Sequence, residues 1–172
     1  MSERARFEAQ VLPHLDAAYN LARWLTRNDH DADDALQDAL LRAYRFYGSL
    51  RGEPRPWLLA IVRNACWSWL QTNRPADLAV VDDAAEADTP GPEALLAREL
   101  DRRAVNAAIA ALPVPFREAL VLRELEDFSY KQIAQIAGVP IGTVMSRLAR
   151  ARRLLADALK PAAAAPRLRL HK

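Results

Sequence analysis

Five aspartates between residues 29 and 38 are the first candidates for chemistry in this sequence. They are Asp29, Asp31, Asp33, Asp34 and Asp38. Carboxylate oxygens are the ligands that Mg²⁺ prefers, so the run is compatible with a metal-dependent enzyme that cuts or transfers DNA strands. Several of these residues also fall in the first turn of a predicted helix, where the helix dipole favours negative charge. We favour this structural interpretation, since no nucleophile motif or phosphate loop is present. We therefore expect no catalytic residue, no metal and no cofactor.

Basic side chains are concentrated in the carboxyl-terminal third of the chain. From Ser129 onward there are nine Lys or Arg residues and a single acid, Asp157, although the net charge of the whole chain is only +2. By contrast, residues 76–93 contain six acids and no base. A basic segment in a near-neutral chain indicates binding to a polyanion such as a nucleic acid. The alternative is a basic helix face that is merely solvated.

The segment from Ser129 to Leu159 has the pattern of a helix-turn-helix. Ser129 and Gln132 have the spacing of a capping box, which predicts a short helix that ends at Gly138. A second helix is expected to begin near Ile141. Its apolar face would contain Val144, Leu148, Ala151 and Leu155.

The opposite face of this second helix carries small and basic side chains. At 100° per residue, the outward residues are Gly142, Ser146, Ala149, Arg150 and Arg153, with Thr143 and Arg147 on the flanks. The major groove of DNA admits a helix, and an arginine can donate two hydrogen bonds to guanine. We therefore predict that this face reads DNA. Packing of a basic amphipathic helix on a protein partner is the alternative.

Aromatic residues cluster around a break rich in glycine and proline at residues 48–56. They are Tyr44, Phe46, Tyr47, Trp57, Trp67 and Trp69. Aromatic rings beside arginines can stack the unpaired bases of single-stranded DNA. Aromatic residues also supply much of the apolar bulk of a core, and we assign Trp57 and Trp69 to it. Arg63, Asn64 and Trp67 are surface candidates for base stacking, and a core role for them stays open.

The elements that position these groups are all predicted to be helical. Apolar periodicity indicates helices over 7–27, 56–71, 93–111 and 114–125. A further helix is expected to begin after a cap at Asp31. Residues 75–92 are acidic and poor in large apolar residues, which predicts a linker. The expected fold is all-α, with two small helical domains joined by an acidic flexible linker and a helix-turn-helix in the second. We place the first domain at 1–75, the linker at 76–92, the second domain at 93–160 and a tail at 161–172.

Composition and targeting signals point to the cytoplasm. The single cysteine, Cys66, cannot form an internal disulfide. No apolar run approaches the roughly 20 residues that span a bilayer. The amino-terminal residues MSERARFEAQ lack the apolar segment of a signal peptide. We therefore expect a cytoplasmic protein that does not insert into a membrane.

Three segments together resemble the extracytoplasmic-function, or group IV, sigma factors of the bacterial sigma-70 family. They are DADDALQDALLRAYRFY (31–47), RPWLLAIVRNACWSWLQTNRP (55–75) and ALPVPFREALVLRELEDFSYKQIAQIAGVPIGTVMSRLARARRLL (111–155). The resemblance implies a non-enzymatic factor that directs core RNA polymerase to promoter DNA and starts transcription. It also implies control by an anti-sigma factor, and we expect the free protein to be a monomer.

The resemblance further implies three sets of contact residues. Core polymerase would be bound by Asp34, Leu36, Gln37, Asp38, Leu40 and Arg42. The minus-ten element would be bound by Ser49, Arg51, Arg55, Arg63, Asn64 and Trp67. The minus-thirty-five element would be bound by Thr143, Met145, Ser146, Arg147, Ala149, Arg150 and Arg153. Met145 lies where many members carry a basic residue, which implies a different upstream sequence preference.

Three other functions remain as alternatives. A free-standing helix-turn-helix regulator would usually bind as a dimer, and the chain has no dimerisation heptads. A strand-cutting enzyme that uses the aspartates between 29 and 38 would require metal-dependent nicking. A protein-interaction adaptor would tolerate reversal of the charge at Arg150.

Overall fold

The computed structural model describes residues 1–79 and 102–160, and within them it contains helices and turns but no strand. Most of the predicted linker and the predicted tail lie outside the described residues. The first domain contains α1 (Glu3–Val11), α2 (Leu15–Thr26), α3 (Asp29–Arg45) and α4 (Pro54–Asn73). The second contains α5 (Arg102–Ala110), α6 (Val114–Leu120), α7 (Tyr130–Ala137) and α8 (Ile141–Ala158). The predicted all-α fold with two helical domains is confirmed.

The first domain is built by α2, α3 and α4, which pack against one another. α3 turns a row of four alanines toward the core: Ala32, Ala35, Ala39 and Ala43. Their short side chains let the three helices approach closely. The apolar bulk comes from the other two helices, with Leu21, Leu25, Leu58, Leu59 and Leu70 fully buried.

The structure corrects three details predicted for the first domain. The helix expected over 7–27 is divided by a 3-10 turn at Leu12–His14, because Pro13 cannot donate a backbone hydrogen bond within a helix. The cap of α3 is Asn28, whose side chain accepts a hydrogen bond from the Asp31 backbone N–H, and not Asp31 itself. Trp57 and Trp69 are only partly buried and pack against the edge of the core.

The second domain confirms the predicted helix-turn-helix. Ser129 Oγ accepts from the backbone N–H of Gln132 at 3.1 Å, and Gln132 Oε1 accepts from the backbone N–H of Ser129 at 2.9 Å. Gly138 ends α7 with φ 70°, a left-handed conformation that glycine adopts without steric cost. The predicted apolar face of α8 is buried, as Val144, Leu148, Ala151 and Leu155 show.

The two domains pack against each other, which the sequence did not predict. α4 contacts α7, and α2 contacts α6. All seven residues of α6 are buried, including Arg117 and Glu118. A π-helical turn at Val121–Leu125 follows α6. The first residues of the predicted linker belong to a 3-10 turn at Pro75–Leu78. In this turn Asp77 forms ion pairs with Arg27 and Arg74.

Candidate promoter-binding surfaces

The outward face of α8 is open along its amino-terminal half. Ile141 is 48% exposed and Met145 is 53% exposed. Nothing lies within 4 Å of the position that a side-chain carbon would occupy at Gly142. Small residues here leave room for close approach to another molecule, and the amino-terminal residues of a recognition helix are those that reach base edges.

The rest of the predicted upstream contact set lies on the same helix and is partly exposed. These residues are Thr143, Ser146, Arg147, Ala149, Arg150 and Arg153. The Ser146 hydroxyl donates to the Thr143 carbonyl at 3.1 Å, which leaves its oxygen able to accept. Arg152, beside this face, donates to Glu124 at 2.9 Å and is thereby directed toward its own domain. α8 therefore presents small, hydroxyl and guanidinium groups on one side, as the sequence predicted.

Arg63 and Trp67, two of the predicted minus-ten residues, are not on a free surface. Arg63 Nε donates to Glu118 Oε1 at 2.7 Å, and Trp67 Nε1 donates to the same oxygen at 2.8 Å. The Arg63 guanidinium lies 3.9 Å from the centroid of the Trp67 ring. The Glu118 side chain is 1% exposed and comes from the second domain. Only the third member of this group, Asn64, is exposed.

Arg55 is held in a similar way by the turn that follows α6. Its Nη2 atom donates to the backbone carbonyl of Glu126 at 2.8 Å and to Glu126 Oε1 at 3.1 Å. Its guanidinium also lies 4.1 Å from the Phe128 ring centroid. Glu126 Oε2 also accepts a hydrogen bond from Asn20 of α2, so Glu126, directly after the π-helical turn, contacts both α2 and α4. Ser49 and Arg51, two more of the predicted minus-ten residues, are exposed and donate to nearby carbonyls.

A buried arginine, Arg117, donates hydrogen bonds to backbone carbonyls of both domains. Arg117 Nη1 donates to the carbonyls of Ala110 and Leu112, both at 2.8 Å, and Nη2 donates to the carbonyl of Leu25 in the first domain at 3.4 Å. Burial, with a smaller effect from Arg27, lowers the pKa of Arg117 to about 10. The side chain therefore stays protonated at neutral pH and supplies donors to carbonyls from both domains.

Helix α3, which packs against α4, carries the residues predicted to contact core polymerase. Asp34, Gln37 and Asp38 are exposed on α3, and Asp38 accepts from Arg42 at 2.9 Å. Together with Ser68, Trp69 and Thr72 of α4, the side chains of Asp34, Asp38 and Arg42 line a groove of about 320 Å³.

The leucines predicted beside these polar groups have a different environment. Leu36 and Leu40 pack partly against the core of the first domain. Leu41, which was not predicted, is 69% exposed. At 100° per residue its direction lies about 20° from that of Asp34 and about 60° from that of Asp38. The periodicity of α3 could have identified it, because the buried alanines fix which face points inward.

The cysteine is buried, and in the described residues the aspartates belong to no metal-holding group. Burial, with a smaller contribution from Glu118, raises the pKa of Cys66 to about 12, so that this thiol stays protonated. Within residues 1–79 and 102–160, no group of three His, Cys, Asp or Glu side chains is arranged to hold a metal ion. In the same residues no helix is long and apolar enough to cross a membrane.

Fold and surfaces together define a class: a two-domain helical protein whose second domain carries a helix-turn-helix. Comparison with known families agrees with this. Residues 11–75 match the sigma-70 region 2 family, and residues 102–155 match the sigma-70 region 4 family. The chain belongs to the sigma-70 family, and its relatives are extracytoplasmic-function sigma factors.

Two curated relatives and one solved structure illustrate the similarity. The chain is 33% identical to the RNA polymerase sigma-H factor of Pseudomonas aeruginosa, over 92% of this chain and 89% of the relative. It is 37% identical to the sigma-E factor of Haemophilus influenzae, over 82% of this chain and 80% of that protein. The structure of the sigma factor RpoE from Bartonella quintana, in complex with the anti-sigma factor NepR, superposes with a TM-score of 0.70. That match has 29% sequence identity and covers 91% of this chain and 98% of the other.

Proposed function

We propose that this protein is an RNA polymerase sigma factor that directs core polymerase to promoters and starts transcription without catalysing a reaction itself. The observation that carries the proposal is the partly exposed face of α8, with small, hydroxyl and guanidinium groups, in a helix-turn-helix whose first helix begins with a capping box. The matches to both sigma-70 regions, in the expected order along the chain, support it. The proposed site of action is the cytoplasm, where core RNA polymerase and promoter DNA are found.

We propose that α8 binds the minus-thirty-five element. Arg150 and Arg153 would supply charge-assisted hydrogen bonds to guanine or to phosphate, and Ser146 would accept or donate at a base edge. Gly142 and Ala149 would allow the helix to enter the groove closely. The contact set is the one predicted from sequence, namely Thr143, Met145, Ser146, Arg147, Ala149, Arg150 and Arg153.

We propose that the first domain captures an unpaired base of the minus-ten element. The residues would be Ser49, Arg51, Arg55, Arg63, Asn64 and Trp67. Three of them, Arg55, Arg63 and Trp67, bond to carboxylates of the second domain. These carboxylates occupy donors that DNA would need, so we propose that the packed arrangement is the form without promoter. Binding of minus-ten DNA therefore requires the two domains to separate.

We propose that α3 binds core polymerase through its exposed polar face. Asp34, Gln37, Asp38 and Arg42 point outward or line the groove beside α4. Leu36 and Leu40 would act by holding α3 in place, because both pack partly against the core. Leu41 would supply the apolar part of the contact.

Control by an anti-sigma factor is part of the proposal. The similar sigma factor from Bartonella quintana was solved in complex with the anti-sigma factor NepR. An inhibitor that stabilises the packed form would keep Arg63 and Trp67 on Glu118 and so keep the minus-ten surface closed. We expect the uninhibited protein to be a monomer before it meets polymerase.

Run-off transcription tests the proposal directly. Core RNA polymerase is given a pool of promoter fragments from the source genome, with and without the protein. We expect new specific transcripts that are lost with Arg150→Ala or Asp34→Lys and kept with the control Asp16→Lys, since Asp16 is an exposed acid on α2. Sequence-specific DNA binding without any binding to core polymerase would replace the sigma-factor proposal with a free-standing regulator.

A further inference from the structure

Two exposed apolar side chains lie at the start of α8, the second helix of the helix-turn-helix. Ile141 and Met145 are four residues apart on α8, so they are neighbours on its surface. In the described residues of the second domain, only Leu125 is a comparably exposed large apolar residue. Such side chains are unexpected on a basic surface whose other outward groups are small or charged.

The pair lies in the first turns of α8, on one flank of its outward face. Residues near the amino terminus of a recognition helix are those that reach base edges. At 100° per residue, Met145 lies about 40° from Ala149, whose small size lets DNA come close, and Ile141 lies about 40° further toward the buried face. The guanidinium groups of Arg150 and Arg153 follow on the same helix, and they favour a polyanion over an apolar protein partner.

The major groove offers one apolar group, the 5-methyl of thymine. A methionine adapts its flexible thioether to such a contact, and an isoleucine adds a rigid branched surface. We propose that Ile141 and Met145 form an apolar pair that reads thymine methyl groups in the upstream promoter element. This inference rests on the proposed function and specifies which base chemistry α8 prefers.

Uracil substitution removes only the methyl group in question. In the promoter found by run-off transcription, each thymine of the upstream element is replaced in turn by uracil, and the minus-ten region is left unchanged. Burial of one methyl group corresponds to roughly a fourfold change in an equilibrium constant. We therefore expect about a fourfold loss of holoenzyme binding and initiation at one or two positions, and no effect elsewhere.

Protein variants assign the effect to the pair. With Met145→Ala or Ile141→Ser, the uracil and thymine templates should become equal at the affected position. The control Leu125→Ala changes an exposed apolar residue outside α8 and should keep the fourfold discrimination. Both substituted side chains of the pair are exposed, so unchanged thermal unfolding is expected and checks that the fold is intact.

The outcomes separate this inference from the proposed function. Specific transcription with no sensitivity to uracil at any upstream position overturns the thymine pair and leaves the sigma-factor proposal standing. A loss of transcription with Met145→Ala that is equal on both templates also overturns it, and indicates a protein partner at this site. Failure to obtain any specific transcript counts against the proposed function itself.

Discussion

Replacing Glu118 with glutamine is expected to open the packed arrangement of the two domains. The Glu118 carboxylate accepts from Arg63 Nε at 2.7 Å and from Trp67 Nε1 at 2.8 Å, across the interface. Glutamine has nearly the same shape but no charge, and its amide group adds a donor that faces the Arg63 guanidinium. The substitution therefore weakens this contact without leaving a cavity.

The size of the effect follows from the kind of hydrogen bond that is lost. A hydrogen bond to a charged group contributes about 1.5–3 kcal/mol. The ratio of packed to separated protein should therefore fall roughly tenfold to 150-fold. If the minus-ten surface binds DNA only in the separated form, the affinity for a single-stranded minus-ten oligonucleotide rises by up to the same factor.

Two measurements on the free protein test this prediction. Single-molecule energy transfer between dyes at Arg45→Cys and Asp157→Cys, both exposed sites, reports the distance between domains in a Cys66→Ala background. Fluorescence anisotropy gives the affinity for the oligonucleotide. The matched control is Glu124→Gln, which removes the same charge from a pair with Arg152 inside the second domain.

One result would refute the reasoning. If Glu118→Gln leaves both the energy transfer and the oligonucleotide affinity at the values of the unmodified protein, Glu118 does not hold the domains together. An equal change with Glu124→Gln would show a general effect of lost charge and would also contradict the prediction.

Four further predictions concern the helix-turn-helix, the interface, the core and the polymerase face. Ser129→Ala removes the α7 cap and should lower the free energy of unfolding by about 1 kcal/mol in urea denaturation; an unchanged midpoint would contradict the capping role. Arg117→Met leaves three carbonyls without their donor and should cost about 1–3 kcal/mol in the same assay, whereas a stabilised variant would show that apolar packing outweighs these bonds. Folding raises the pKa of Cys66 from 9.0 to about 12, so the unfolded state loses its proton first. Stability should then fall by about 1.4 kcal/mol per pH unit from this group as the pH rises from 9.0 to about 12, and Cys66→Ala should reduce that slope. Leu41→Asp should weaken binding to core polymerase about tenfold or more in a fluorescence titration, because it places charge in an apolar contact; unaltered binding would exclude Leu41 from the contact.

The helix-turn-helix could be predicted from sequence because its determinants are local. The capping box joins Ser129 to Gln132, and the turn depends on the conformation that glycine adopts at Gly138. The buried face of α8 follows from residue spacing alone. Each of these features involves residues within a few positions of one another, so no knowledge of the tertiary structure was needed.

The exposed face of α3, which we propose binds core polymerase, could be predicted only in part. The sequence identified α3 and its polar residues, but it gave Leu36 and Leu40 the same status as Asp34. The structure separates them, because the buried alanines of α3 fix the inward face and leave Leu41 outside. A position on the helix surface has meaning only once the packing partners of that helix are known.

By itself, the sequence determined the helical class, the helix-turn-helix and the resemblance to sigma factors, because local capping, periodicity and motif order carry that information. Only the tertiary structure decided that Arg63 and Trp67 are bound to Glu118, which is 55 and 51 residues away in the chain. Such a contact depends on how two complete domains pack, and no spacing rule along the chain encodes it. Three of the predicted minus-ten residues, Arg55, Arg63 and Trp67, therefore lie at an interface between domains, where they already donate to carboxylates.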